Sequence, residues 1–268
     1  MSIVTRRGFV AFAGLVAAGL SKTAAAQQTE ESSGQDRSRA TRATTRAKDL
    51  TDDELEAMFK RCSNAGKWGA DDELGTLNYV TAAKRIAAAK LVRTGEVVSI
   101  GRDISKTASK VDPHPVELLI TYNGGSPGIS DYITMAPHGM TITHMDALSH
   151  FMFNDTLYNG RKRSATMTAN GAGWGSIYAM RQGVFTRGVL LDVAAARGVP
   201  WYESNEYVTV ADFEAALASM GLPILDWPAL TTLAETCSGR KRWDFLLTTA
   251  PMRLPGGTSA PVNPLCLF

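Results

Sequence analysis

Three of the four histidines in this chain fall within residues 138–150, together with one aspartate. In an extended segment, residues i and i+2 point to the same face, so His144 and Asp146 can grip one ion together. If the chain turns helical after Asp146, His150 at i+4 returns to the same side. Imidazole nitrogen suits zinc, and carboxylate oxygen suits zinc or manganese. An extended segment that turns helical after Asp146 would therefore carry a metal or catalytic site.

The alternative is that these side chains are unrelated polar residues, or histidines that hydrogen-bond within a core. A lone histidine would favour that alternative, whereas three histidines with an intervening aspartate favour a metal or catalytic site. The fourth histidine, His114, lies between Pro113 and Pro115. The flanking prolines predict an extended surface loop for His114.

The run Thr143-His144-Met145-Asp146-Ala147-Leu148-Ser149-His150-Phe151 resembles the histidine-aspartate-histidine signature of the cyclase family. That family includes kynurenine formamidases and isatin hydrolases. Other segments are also similar to the family, and they lie at residues 67–78, 157–160, 186–192, 255–258 and 261–264. Mixed strands and helices by themselves indicate an α/β or α+β domain. The resemblance implies an α/β, swivelling β/β/α (cyclase-like) fold with a mixed β-sheet over residues 49–268.

The resemblance also implies a reaction, the hydrolysis of N-formylkynurenine to kynurenine and formate by a metal-dependent arylformamidase of tryptophan catabolism. A bound Zn²⁺ or Mn²⁺ ion activates water and polarises the carbonyl group that the water attacks. His144 and Asp146 are the expected ligands, with His138 as the candidate further ligand. His150, by its position in the family motif, is the expected general acid/base.

The family pattern changes at several positions. Formamidases of the family place a metal-binding histidine where this chain has Met140, so His138 would reach the ion through a turn at Gly139. They have glycine at the position of Ile142. Their downstream histidine and acidic residue have no counterpart, since no histidine follows His150. An internal section of the family pattern is therefore absent after the helix predicted at residues 209–220.

Three hypotheses about function follow from these observations. The first is an amide hydrolase of the arylformamidase type. The second is a hydrolase of the same family that opens a cyclic amide or a lactone. The third is a non-catalytic remnant that keeps the signature and a weak metal site.

The first 26 residues have the pattern of a cleavable export signal of the twin-arginine type. The run Thr5-Arg6-Arg7-Gly8-Phe9 is followed by an apolar stretch to Leu20 and small residues at 23–26. The apolar stretch is shorter than the roughly 20 residues that span a bilayer. We therefore expect export to the periplasm, with no membrane attachment after cleavage. Residues 27–48 are polar and predict a disordered leader.

The net charge of +2 and the lack of a basic stripe argue against nucleic acid as a partner. The expected partner is a small-molecule substrate, and a homo-oligomer is left open. The three cysteines are too few for a disulfide framework and allow at most one bridge.

Helix-capping residues and the alternation of apolar and polar side chains predict the helices and strands. Thr51 and Glu54 predict a capping box for a helix to Cys62, and Thr81 caps a helix to about Val92. A loop rich in small residues is predicted at 165–175. The predicted strands lie at 96–100, 116–122, 131–136, 187–193 and 243–250, and further helices at 209–220 and 227–237.

Overall fold

A computed structural model of the chain describes residues 9–12, 51–110, 112–122, 124–125, 127–138, 141–192 and 223–268. The predicted leader at 27–48 and the predicted helix at 209–220 lie outside the described residues. Of the predicted export signal, the structure describes strand β1 (Phe9–Phe12) alone. The export signal and its cleavage stay a prediction.

The two N-terminal helices begin at the predicted caps. The Thr51 side chain accepts a hydrogen bond from the Glu54 amide and the Glu54 side chain accepts one from the Thr51 amide, so the capping box of α1 (Asp52–Cys62) is confirmed. Thr81 caps α2 (Ala82–Ala89). This helix ends before the predicted Val92 because the amides of residues 91 and 92 donate to carbonyls three residues back, which tightens the last turn.

The larger sheet has five strands, and its order is β1, β8 (Val184–Leu191), β10 (Asp244–Thr249), β12 (Leu265–Leu267) and β2 (Val97–Ser99). Each described pair of neighbours in it is antiparallel. Helix α4 (Thr231–Arg240) buries its apolar side chains in the same core as the sheet. The core of this layer includes Ile100, Leu233, Cys237, Phe245, Leu247, Cys266 and Phe268.

The second sheet has β5 (His144–Asp146) at its centre, between β11 (Ser259–Pro261) and β9 (Leu225–Asp226). Both neighbours run antiparallel to β5. Met145, in the middle of β5, is fully buried in a second apolar cluster with Leu148, Tyr158, Ile177 and Ala260. Because residues alternate along a strand, that packing directs His144 and Asp146 to the opposite face.

Two hairpins form separate two-stranded sheets, and short 3-10 helices lie at Gly75–Tyr79, Tyr158–Gly160 and Ile177–Met180. Strands β3 (Glu117–Tyr122) and β4 (Ile129–Thr134) form a two-stranded sheet of exposed residues. The segment predicted as a loop at 165–175 instead contains the end of α3 (Arg163–Thr166) and a short hairpin of β6 (Met167–Thr168) and β7 (Gly171–Ala172). The loop prediction was wrong there because Gly171, at φ +118°, closes a tight turn.

The α/β class and most predicted strands are confirmed, with shifts at their ends. Strand β8 begins at Val184, before the predicted residue 187. The predicted helix at 227–237 begins at Thr231 because Trp227 has φ +53°, which a helix does not allow. No described helix combines the length and the apolar character needed to cross a bilayer.

All three cysteines are free thiols. Cys237 and Cys266 are fully buried in the core of the larger sheet, whereas Cys62 is half-buried. Burial raises the pKa of Cys237 to about 11 and that of Cys266 further still. These two thiols therefore act as small apolar core side chains.

Gly188 of β8 provides a test of this packing. A methyl group there would collide with the ring of Phe245, its cross-strand partner. We expect Gly188→Ala to lower the free energy of unfolding by about 2 kcal/mol through overpacking. Gly239, inside α4, has open space where a methyl group would lie, so Gly239→Ala should raise stability by about 0.5–1 kcal/mol. Urea unfolding of both variants gives the comparison, and an unchanged midpoint for Gly188→Ala would contradict the packing.

Candidate metal centre

The carboxylate of Asp146 lies at the middle of the histidine cluster. Its side chain is 3% exposed, and Oδ1 has no hydrogen-bond partner among the described residues. Three imidazole nitrogens face that oxygen: His138 Nδ1 at 3.2 Å, His144 Nε2 at 3.5 Å and His150 Nε2 at 4.0 Å. A buried carboxylate oxygen without a hydrogen bond is costly unless a cation compensates it.

His144 is held by its own strand segment. Its Nδ1 lies 2.8 Å from the carbonyl oxygen of Ile142, two residues earlier. A carbonyl can only accept, so Nδ1 carries a proton and donates it, and Nε2 is the nitrogen that faces Asp146. This is the arrangement in which a backbone oxygen fixes the tautomer of a metal-binding histidine.

His138 reaches the cluster from the segment after β4. Its Nε2 lies 2.9 Å from the hydroxyl oxygen of Thr258, which leaves Nδ1 directed at Asp146. Thr258 is fixed in turn, because its carbonyl oxygen accepts a hydrogen bond of 2.9 Å from the amide of Ala147. The turn predicted at Gly139 and the neighbouring Met140 lie outside the described residues.

His150 comes back to Asp146 through a turn, and not through the helix considered from the sequence. Its amide donates to the carbonyl of Ala147, three residues back, at 3.0 Å. The ring stacks on that of His138 with centroids 3.7 Å apart and planes 12° apart. Burial lowers the pKa of His150 to about 4, with Asp146 opposing the shift and the other two histidines adding to it. The imidazole is therefore neutral at neutral pH.

The donor set fits a divalent ion. His138, His144 and Asp146 each offer one ligand atom, and these atoms all lie within 4.8 Å of one another. Two imidazole nitrogens and one carboxylate oxygen form the three-ligand set of catalytic zinc sites, which keep a further position open. The unpartnered Oδ1 of Asp146 is consistent with that fit, since an ion would supply the missing contact.

The sequence predicted four site residues, and the structure places the three histidines around Oδ1 of the fourth residue, Asp146. His114 stays apart on an exposed loop, as the flanking prolines predict. In the segment at 67–78 that resembles the family, Asp72 accepts hydrogen bonds from the amides of Leu74 and Gly75, and Glu73 accepts one from the amide of Gly175. Thr258 was missed as a contributor, although its segment was noted for its resemblance to the family.

Comparisons with known proteins agree with this architecture. The Cyclase family model, described as "Putative cyclase", matches residues 80–256. The crystal structure of "a novel cyclase" is 22% identical, with a TM-score of 0.67, and the match covers 77% of this chain and all of that one. The predicted cyclase-like fold is therefore confirmed. A second structure, a "predicted metal-dependent hydrolase from Bacillus stearothermophilus", is 13% identical over 65% of this chain and 98% of that one, and its TM-score of 0.35 supports no argument. A comparison with curated proteins finds no match.

Asp146→Asn tests whether the buried charge is compensated by a metal. In EDTA, the variant should be more stable than the wild type by about 1 kcal/mol, because it removes an uncompensated buried charge. With zinc the order should reverse, since a ligand that binds the folded state stabilises it. Thermal unfolding with and without zinc measures both values. Asp155→Asn, at an exposed acid, is the matched control, and the same stability order in both conditions would contradict a metal role for Asp146.

Thr258→Val tests the support of His138. The change keeps the side-chain shape and removes the oxygen atom beside Nε2, so zinc affinity should fall about 10- to 100-fold. Thr258→Ser retains the hydroxyl and should retain most of the affinity. Competition with a chromophoric zinc chelator measures all three proteins, and equal affinities for the valine and serine variants would rule out this role.

Proposed function

Because the chain belongs to the Cyclase family, we propose that it is a metal-dependent hydrolase of amide bonds, of the arylformamidase type. The substrate proposed is N-formylkynurenine, which would yield kynurenine and formate. One observation carries the proposal: the buried Oδ1 of Asp146 lacks a hydrogen bond among the described residues and faces three imidazole nitrogens. Such a centre fits hydrolytic chemistry better than a structural role, because structural zinc sites use four protein ligands.

We assign His138, His144 and Asp146 as the residues that would hold Zn²⁺ or Mn²⁺. When bound, such an ion lowers the pKa of a water molecule towards about 7 and polarises a carbonyl oxygen. Hydrogen bonds on the outer nitrogens of two rings, to the hydroxyl of Thr258 and the carbonyl of Ile142, leave His138 Nδ1 and His144 Nε2 directed inward. Those bonds reduce the reorganisation that binding an ion requires.

His150 is the proposed general acid/base. Its Nε2 lies beside Asp146 but at 4.0 Å, the longest of the three imidazole distances, and it is not among the three grouped ligand atoms. As a neutral base, it can accept a proton from the attacking water molecule. It can then donate that proton to the departing amine nitrogen. Its side chain is 24% exposed, so substrate can approach it.

Export to the periplasm is part of the proposal. The twin-arginine pattern at residues 5–9 supports it. The twin-arginine route carries folded proteins, so a site that depends on packing between distant segments could be assembled before export. Residues 27–268 would then be the mature enzyme, and its larger sheet would lack the edge strand β1.

Metal content and hydrolysis together test the proposed function. The mature wild-type protein should bind about one equivalent of metal and release formate from N-formylkynurenine. His144→Ala should lose both the metal and the activity. His150→Asn should keep the metal while kcat falls by about 10²- to 10⁴-fold, since only proton transfer is removed. His114→Ala is the matched control, because that histidine is exposed and is not among the grouped ligand atoms, and it should behave as the wild type.

Each alternative has its own outcome. A folded wild-type protein without metal would overturn the enzymatic proposal and leave the non-catalytic remnant. A metal-loaded protein that opens lactams or lactones, but leaves formamides intact, would replace the arylformamidase with a cyclic amide or lactone hydrolase. A metal-loaded protein that hydrolyses none of these would favour the remnant with a metal site.

A further inference from the structure

A cavity of about 320 Å³ lies apart from the metal centre, among the two 3-10 helices at residues 75–79 and 177–180, helix α2 and the start of β8. Its volume is at the lower end of the roughly 300–1,000 Å³ typical of small-molecule pockets. Three lining residues, Leu77, Met180 and Val184, pack in the apolar cluster that contains Met145. Because Met145 lies on the face of β5 opposite Asp146, the cavity adjoins the other side of that strand.

The floor of the cavity is apolar. Val80, Met180 and Val184 are each no more than 7% exposed, and Leu77 is half-buried beside them. Ser176 also lines the cavity and is 8% exposed, yet its hydroxyl has no hydrogen-bond partner among the described residues. The floor therefore suits an apolar group, and one buried hydroxyl is left to bond a polar atom beside it.

The rim of the cavity carries two exposed guanidinium groups, those of Arg85 on α2 and Arg181. Within the described part of the chain, neither forms an ion pair with a carboxylate. Arg181 donates a hydrogen bond of 3.2 Å to the carbonyl oxygen of Tyr178, and its guanidinium lies 4.8 Å from the centroid of the Tyr178 ring. These two contacts hold one positive charge at the rim.

The charge balance around the cavity is positive. A third guanidinium, that of Arg253, donates a hydrogen bond of 3.5 Å to the hydroxyl of Tyr178 and lowers its pKa. The acid that lines the cavity, Glu73, accepts a hydrogen bond of 2.7 Å from the amide of Gly175. Three guanidinium groups therefore accompany one carboxylate that already has a partner, and the local potential favours an anion.

We propose that this cavity binds a small organic acid, with an apolar ring or branched chain on the floor and its carboxylate at Arg85 and Arg181. Guanidinium groups match a carboxylate through paired, charge-assisted hydrogen bonds. Inorganic phosphate would meet the rim but leave the apolar floor unfilled, so a carboxylic acid with an apolar body fits both parts. The inference is independent of the proposed function, since it uses no residue of the metal centre.

Calorimetric titration with benzoate tests the site. Benzoate should bind the wild-type protein with a dissociation constant of about 0.1–1 mM, within reach of about nine non-hydrogen atoms. Benzamide has nearly the same shape without the charge and should bind at least about 10-fold more weakly. Arg85→Gln and Arg181→Gln should each weaken benzoate binding about 10-fold, because each removes a charged donor. Arg61→Gln, at an exposed arginine of α1 outside the cavity, is the matched control and should bind as the wild type.

A metal ion can also bind a carboxylate, so His144→Ala separates the two sites. Benzoate binding that persists in this variant supports the cavity, whereas binding that disappears with the metal would assign benzoate to the metal centre and overturn the proposal. No binding to the wild type, equal affinities for benzoate and benzamide, or unchanged affinity in both arginine variants would also overturn it. Inorganic phosphate that binds as tightly as benzoate would contradict the role of the apolar floor. Circular dichroism of the arginine variants shows that they are folded.

Discussion

The carboxylate of Asp146 is the group on which the arrangement of the site depends. Removing an ionised carboxylate from water costs several kcal/mol unless other groups compensate it. Here the oxygen Oδ1 is enclosed by the protein and faces three imidazole nitrogens. The amide of Asp146 donates a hydrogen bond of 2.9 Å to the carbonyl oxygen of Ile224, and the strands on both sides of β5 fix the backbone. Strand β5 therefore holds the carboxylate in this position. Met145 packs in the apolar cluster on the opposite face, and this packing also fixes the position of the Asp146 carboxylate.

The C-terminal segment completes the site through backbone contacts. The amides of Ala172 and Ile177 donate to the carbonyls of Gly256 and Gly257, at 2.8 and 2.7 Å. A methyl group on Gly171 would meet the backbone of Gly256 at 2.7 Å, so this close approach requires glycine. These contacts hold Thr258 where its hydroxyl meets His138. The geometry of the candidate metal centre therefore depends on contacts between segments more than one hundred residues apart in the chain.

The sequence was informative where local chemistry decides the structure. The capping box at Thr51 and the alternation in β5 depend on neighbours within a few residues, and the structure has both features. Two outcomes depended on distant contacts: the role of Thr258, and the turn that returns His150 without a helix. Such contacts leave no periodic pattern in the sequence. The sequence also could not show that the β3–β4 hairpin is exposed, because alternation predicts strands but does not show whether another element packs on them.

The geometry shows that the departures from the family pattern still leave enough ligand atoms for one ion. A catalytic zinc site needs three protein ligands and an open position. His138, His144 and Asp146 supply three ligand atoms within 4.8 Å of one another, so one ion needs no ligand from downstream. A second ion would need further donors, yet His150 is the last histidine of the chain and His114 is exposed elsewhere. The three grouped ligand atoms are therefore consistent with a centre for a single ion, and His150 is not among them.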